Sequence, residues 1–318
     1  MDNLKETPSP GLNLADETGE EATQRENLPQ RIERLSKAKA SCLSISDYIK
    51  VSQPDHLKLG RTLSDCGNWL RFREYYTADR VLLSGASFCR KHLLCQLCAI
   101  RRGAKMVKQK SRDFDQVITD NPNLVPYLMT ITIKDGSDLK ERTNHITKHF
   151  RAFMKRRHLK NRGNEAEKIK GAVWSYEIKR GSNSGLWHPH VHALILVDIR
   201  NLVSQSLVSK EWHKLTGDSF IVDIRPIKHD TDEEKINAFC EVFKYALKFS
   251  EQPPEDTFHC FDTLKNRRLI GSCGLLYGVK EPLSLEDDVL DDLPYIEHFY
   301  SYSRQSGYSL GSPWTQSA

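Results

Sequence analysis

The sequence predicts an α+β protein: an antiparallel sheet flanked by helices and preceded by a cysteine-rich module. Three observations carry this. Runs that alternate apolar and polar residues lie between residues 127 and 196, helical apolar spacing recurs on either side of them, and a Cys-x-x-Cys pair stands ahead of both. A chain of 318 residues is long enough for one or two domains with a substantial core.

Residues 1–60 read as a disordered or weakly ordered N-terminal segment, because Pro8, Pro10, Gly11 and Pro29 stand among acids such as Glu17, Glu20 and Glu21 with few large apolar residues. Residues 61–115 form the cysteine-rich module and a basic helix. Cys95 and Cys98 have the two-residue gap that lets both thiolates reach one tetrahedral zinc, and Cys89 is close enough to be a third ligand. Cys66 is the expected fourth, with His92 as its alternative, and a set of reduced structural thiols is the plainer reading. Arg101, Arg102, Lys105, Lys108, Lys110 and Arg112 follow. Such a cluster suits a phosphate backbone, although the formal net charge is only +5 and solvated helix faces look the same in sequence.

Residues 120–250 hold the chemistry. Tyr127 to Ile133 alternates threonines with apolar residues as a strand does, and Val173 to Ile178 alternates likewise, with Trp174, Tyr176 and Ile178 inward and Ser175 and Glu177 on the other side. A turn-like stretch from Arg180 to Gly185 joins it to Trp187-His188-Pro189-His190-Val191-His192. Side chains i and i+2 of a strand share a face, so His190 and His192 can bind one metal. If the two strands pair as a hairpin, Glu177 can join them, giving two imidazoles and a carboxylate with open positions. Between the strands, Ile146, Phe150 and Phe153 mark a helix that packs on the sheet and turns Lys148, Arg151, Lys155, Arg156, Arg157, Lys160 and Arg162 outward.

A second helix is signalled by Thr231 and Glu234, a capping-box pair, followed by Ile236, Phe239, Phe243 and Leu247 as an apolar stripe. Glu241, Tyr245 and Lys248, at i, i+4 and i+7, fall on the opposite face, where an acid and a base beside a phenol can tune or relay protons. Residues 251–318 form a C-terminal extension with an acidic run from Glu281 to Asp292; its Lys265, Arg267 and Arg268 either close over the core or touch DNA.

The order of a threonine-rich strand, His-Val-His, and then Glu-x-x-x-Tyr-x-x-Lys on a helix resembles the HUH endonucleases, with their ferredoxin/RRM-like fold. Within them it resembles the single-tyrosine plasmid rolling-circle replication initiators, which also carry a cysteine-rich segment ahead of the nuclease core. The resemblance implies a metal-dependent, site-specific nicking and strand-transfer enzyme. His190, His192 and Glu177 would hold Mg or Mn, and Tyr245 would cut one strand at the double-strand origin and keep its 5′ phosphate. In such enzymes Glu241 would activate water for the terminating cleavage, while Lys248 would lower the phenol's pKa or neutralise the phosphate. Plasmid origin DNA, single- and double-stranded, is the expected partner. A host helicase and replication machinery are expected with it, since the chain has no Gly-x-x-x-x-Gly-Lys loop.

Two alternatives stay open on sequence: an HUH transposase or conjugative relaxase, and a non-catalytic zinc-containing DNA-binding protein with structural histidines. No run approaches the roughly 20 apolar residues of a membrane span and no signal pattern opens the chain, so a cytoplasmic protein is expected. Eight cysteines there favour metal binding or free thiols over disulfides.

Overall fold

Among the described residues, two antiparallel sheets, one of four strands and one of five, organise the fold. The computed structural model describes residues 14–18, 20–159, 163–181, 184–243 and 252–311. Its front differs from the expected disorder over residues 1–60, because Leu28–Ser52 form a 25-residue helix, α1. The cause is a stripe that average composition hides: Leu35, Ala38, Cys42, Ile45 and Ile49 recur at spacings of three and four and are all buried. Pro29 lies in the first turn of α1, where its missing N–H removes no helical bond.

Helix α2 (Leu57–Asp65) packs on α1, and β1 (Trp69–Tyr75) pairs with β2 (Arg80–Ala86) as a hairpin. Then α3 (Gln96–Asp120) runs to the second sheet with Leu97, Ile100, Ala104, Val107 and Phe114 buried along it.

The second sheet begins with β3 (Leu124–Thr132), α4 (Leu139–Lys155), β4 (Ile169–Arg180), β5 (Trp187–Asp198), α5 (Gln205–Thr216) and β6 (Val222–Pro226). This βαββαβ sequence, with strand order β6-β3-β5-β4, is the ferredoxin-like arrangement. Helix α6 (Asp232–Phe243) follows, and its capping box is formed: Glu234 N donates to Thr231 Oγ1 at 3.2 Å and Thr231 N donates to Glu234 Oε2 at 3.3 Å.

Alternation along β4 decides what each face meets. Trp174 and Tyr176 face α4, where the Phe150 ring meets them edge-on at 5.5 and 6.0 Å. Ser175 and Glu177 face α6, and the Ser175 hydroxyl donates to the Val242 carbonyl. Ile146, Phe150 and Phe153 are buried as their spacing predicts. Phe239 and Phe243 are buried too, with Phe239 against Phe114 of α3 at 5.6 Å.

The C-terminal stretch completes both sheets. After α7 (Pro254–Leu264), β7 (Ile270–Gly274) pairs with β4, while β8 (Ile296–Ser303) pairs with β1 and β9 (Gly307–Leu310) with β8. Gly271 has to be glycine, since a Cβ there would stand 2.3 Å from the Trp174 ring.

The acidic run corrects the reading of α3 as a phosphate-binding helix. Asp287 pairs with Arg31 and Arg101, Glu281 with Arg102, and Asp288 with Lys105 and Lys108, while Glu17 adds a second carboxylate to Arg31 and Arg101. Arg101 and Lys110 are 1% exposed. Buried cations must be paired, and these already are. Of the six predicted basic residues, Lys108 and Arg112 are exposed, and Lys108 is paired with Asp288.

Candidate active site and thiol centre

The thiol centre is assembled at the junction of α2, the β1–β2 hairpin and α3. Cys66 follows α2, Cys89 lies in the loop after β2, Cys95 caps the N-terminus of α3 and Cys98 sits in its first turn. All four sulfurs lie within 4.8 Å of one another, and Cys66–Cys95, Cys66–Cys98 and Cys89–Cys98 are 3.5, 3.6 and 3.6 Å apart. A tetrahedral zinc with Zn–S bonds of about 2.3 Å needs sulfurs about 3.8 Å apart, so the cluster can hold a metal with little adjustment.

Its surroundings support that charge. The Lys39 ammonium is fully buried below the cluster and donates to the carbonyls of Ser64 and Cys66 and to Asn68 Oδ1 at 2.6–2.8 Å. Four thiolates around a dication carry a net charge of about −2, which one ammonium partly offsets. Burial opposes ionisation of Cys95, yet the neighbouring thiols of the cluster hold its pKa below the ordinary thiol value. Gly67, at φ +64°, makes the turn after Cys66, and a Cβ there would stand 2.3 Å from Leu97. His92, the alternative ligand, is not in the cluster.

The second constellation lies on the α6 face of the five-stranded sheet. Register places Glu177 opposite His190 and Ser175 opposite His192 on β4, with Thr132 opposite His190 and Thr130 opposite His192 on β3. Residues paired across an antiparallel ladder share a face, so the hairpin brings carboxylate and imidazoles together as expected. His192 Nε2 lies 3.0 Å from Glu177 Oε2 and His192 Nδ1 lies 3.2 Å from Thr130 Oγ1. Glu177 is 1% exposed.

His190 stacks parallel to His192 at 5.8 Å, and its buried Nε2 has no hydrogen-bond partner among the described residues. Burial holds its pKa down to about 3 against the pull of Glu177, so the ring is neutral and one nitrogen is uncommitted. Hard oxygen and neutral imidazole donors fit a divalent cation. The set is looser than the thiol cluster, however. His190, His192 and Glu177 do not place three ligand atoms within 4.8 Å of one another, as the thiols do, so gripping an ion requires side-chain rotation.

Helix α6 meets this face through Val242. Val242 is bonded to Ser175, the neighbour of His192 in the ladder, and Glu241 beside it is half-buried. Tyr245 and Lys248, like Leu247, Lys160 and Arg162, lie outside the described residues.

Sequence reading missed His188 and Asp135. His188 continues the row one step beyond His190, its ring 4.3 Å away edge-on, and is paired with Asp135 from the loop after β3. The signal was present: positions 188, 190 and 192 share one strand face.

Among the described residues no helix is long and apolar enough to cross a membrane. A family model for replication proteins matches residues 80–317. The chain is 28% identical over 284 residues to a protein rep of Bacillus amyloliquefaciens, covering 78% of this chain and 80% of that one. It is 27% identical over 244 residues to a protein rep of Streptococcus pneumoniae serotype 2, covering 72% and 73%. A protein rep of Lactiplantibacillus plantarum is 26% identical over 270 residues, covering 79% and 82%. No solved structure matches. With the ferredoxin-like sheet, the histidine row and the thiol centre in place, the match over most of its length assigns the chain to the replication proteins, as a plasmid rolling-circle replication initiator.

Proposed function

We propose that this initiator nicks one strand of plasmid origin DNA through a covalent tyrosyl intermediate formed by Tyr245. The observation that carries the reading is the meeting of Glu177, His190 and His192 on the sheet face to which Val242, three positions ahead of Tyr245, is bonded. Glu177, His190 and His192 would hold Mg or Mn, and the bound cation would supply charge stabilisation at the scissile phosphate.

The chain's own groups do the rest. The Tyr245 oxygen attacks phosphorus and forms a phosphotyrosyl ester with the 5′ phosphate. The bond to the 3′ oxygen breaks, that oxygen takes up a proton, and the resulting hydroxyl primes synthesis. The ester keeps the phosphoester energy, so a later attack by a 3′ hydroxyl rejoins ends. Glu241, on α6 and half-buried, would take a proton from water in the terminating cleavage, and Lys248 would neutralise charge at the phosphate. Thr130 orients His192 through Nδ1, and Asp135 orients His188 in the same way.

The thiol centre would hold zinc as a structural ion, with no part in the cleavage. The working setting would be the cytoplasm, with single- and double-stranded origin DNA and a host helicase as partners. Incubating the protein with Mn or Mg and a single-stranded origin oligonucleotide should yield a covalent adduct that peptide mapping places on Tyr245. Tyr245→Phe should abolish the adduct while duplex binding persists. A normal adduct from that variant overturns the assignment.

A further inference from the structure

We propose that the sheet face opposite the histidines carries a second DNA site, a groove that grips the phosphate backbone of duplex DNA. The groove lies between α4 and the loop that leads into β7, has a volume of about 390 Å³, and is lined by Thr147, Lys148, Arg151, Asn266, Arg267 and Arg268 among others, with no carboxylate in its wall. Rolling-circle initiator identity makes DNA the relevant polyanion, and the inference rests on that membership.

Three features distinguish these cations from an ordinary solvated helix face. Among the described residues none of Lys148, Arg151, Arg267 and Arg268 pairs with a carboxylate, whereas most of the basic residues of α3 do. Their positions are held: Arg267 donates to Asn144 Oδ1 at 2.7 Å, Arg268 donates to the Ile270 carbonyl at 3.0 Å, and the loop turns at Asn266 with φ +67°. Lys148, Arg151 and Lys155 are all exposed, at i, i+3 and i+7 of α4. That stripe spans about 10 Å of helix, or about three nucleotides of one duplex strand.

The groove's chemistry selects duplex over single strand. Sites for single strands combine cations with aromatic platforms on which bases stack. No aromatic side chain lines this groove; threonines and asparagines stand beside the cations, as suits phosphate oxygens. Placement agrees, since Trp174 and Tyr176 point to α4 while Ser175 and Glu177 point to the histidine side. A duplex arm held here leaves the other face free for the strand to be cut. The groove ends toward the start of α4, where Asp138 and Glu141 line the adjoining hollow.

The test compares two variants that each remove two positive charges: Arg151→Gln/Arg268→Gln in the groove and Lys105→Gln/Lys108→Gln on α3. Binding of the full chain to a mixed-sequence 30-base-pair duplex is followed by fluorescence anisotropy from about 50 to 300 mM salt. No divalent metal is added, so the reading is independent of whether Tyr245 is the nucleophile. The groove variant should lose at least tenfold in duplex affinity at about 150 mM salt, and its salt slope should become shallower by about 1.8. The α3 variant should keep the parental slope. Equal behaviour of the two variants overturns the proposal, and a loss on a single-stranded 30-mer as large as on the duplex overturns the choice of duplex. Lys148→Gln/Arg151→Gln, confined to the helix surface, gives the same reading if the loop variant is poorly folded.

Discussion

The front unit and the five-stranded sheet treat buried polar groups in opposite ways. At the front, charges face partners: Arg31 and Arg101 share Glu17 and Asp287, Lys39 meets three oxygens, and four thiols converge on one point. In the sheet, His190 Nε2 is buried without a partner among the described residues, and the α4 cations face an open groove. Burying an unpaired polar group costs about 1–3 kcal/mol. A fold that keeps such a group on a hairpin beside a helix spends stability on a site, whereas a compensated cluster holds elements together.

Three perturbations sharpen or break that contrast. The largest effect is expected from Cys95→Ser, because the sulfur of Cys95 ties the start of α3 to Cys66 and a structural metal contributes its binding energy to folding. One equivalent of bound metal should disappear and the Tm should fall by about 10 °C or more, measured by elemental analysis and calorimetry. A metal-free protein of unchanged Tm would make the thiols ordinary core residues.

Asp287→Ala comes next, since it leaves Arg31 and Arg101 with Glu17 as their remaining carboxylate; a loss of about 3–5 kcal/mol is expected. The same residue sets a pH dependence. Burial works to raise the Asp287 pKa, but Arg101, Arg31 and the Leu83 N–H together hold it below the ordinary carboxylate value. A depressed folded-state pKa means stability that is present above the unfolded value of about 3.9 and is lost as pH falls below it. Denaturant titrations between pH 6 and 3 should therefore steepen for the parent and flatten for Asp287→Asn; parallel curves would remove Asp287 from the acid response.

The smallest effect on the fold, though not on activity, is expected at the histidine row. His190→Leu removes a buried nitrogen that no described residue satisfies, so stability should hold or rise, while nicking should drop at least about 100-fold, or about 2.7 kcal/mol in barrier. A large loss of stability with it would mean that His190 is a structural residue and that the contrast drawn above fails on the sheet side.

Much of this architecture is legible in local pattern. Alternation locates β3, β4 and β5, the Gly/Ser-rich turn joins β4 to β5, and the Thr231–Glu234 capping box marks where α6 starts. Spacing names Cys89, Cys95 and Cys98 and leaves the fourth ligand between Cys66 and His92; in the structure Cys66 joins the cluster. Composition misleads where it averages: residues 28–52 look polar over a long window, yet one buried stripe makes them a helix. Charge misleads where partners are remote in sequence. Arg101 and Asp287 are 186 positions apart, and no local window shows that the two meet.

What the sequence determined by itself are the features written in short periods. A two-residue period puts His188, His190 and His192 on one strand face, a period near 3.6 gives each helix its buried stripe, and a Cys-x-x-Cys gap sets half of a tetrahedral ligand set. Only the tertiary structure decided which charged groups are spent on one another and which stay open, because pairing depends on distances between segments far apart along the chain. That is why α3 and α4, similar as basic strings, differ as surfaces: the return of the C-terminal segment delivers Glu281, Asp287 and Asp288 to α3 and places Arg267 and Arg268, cations of the same sign, beside α4.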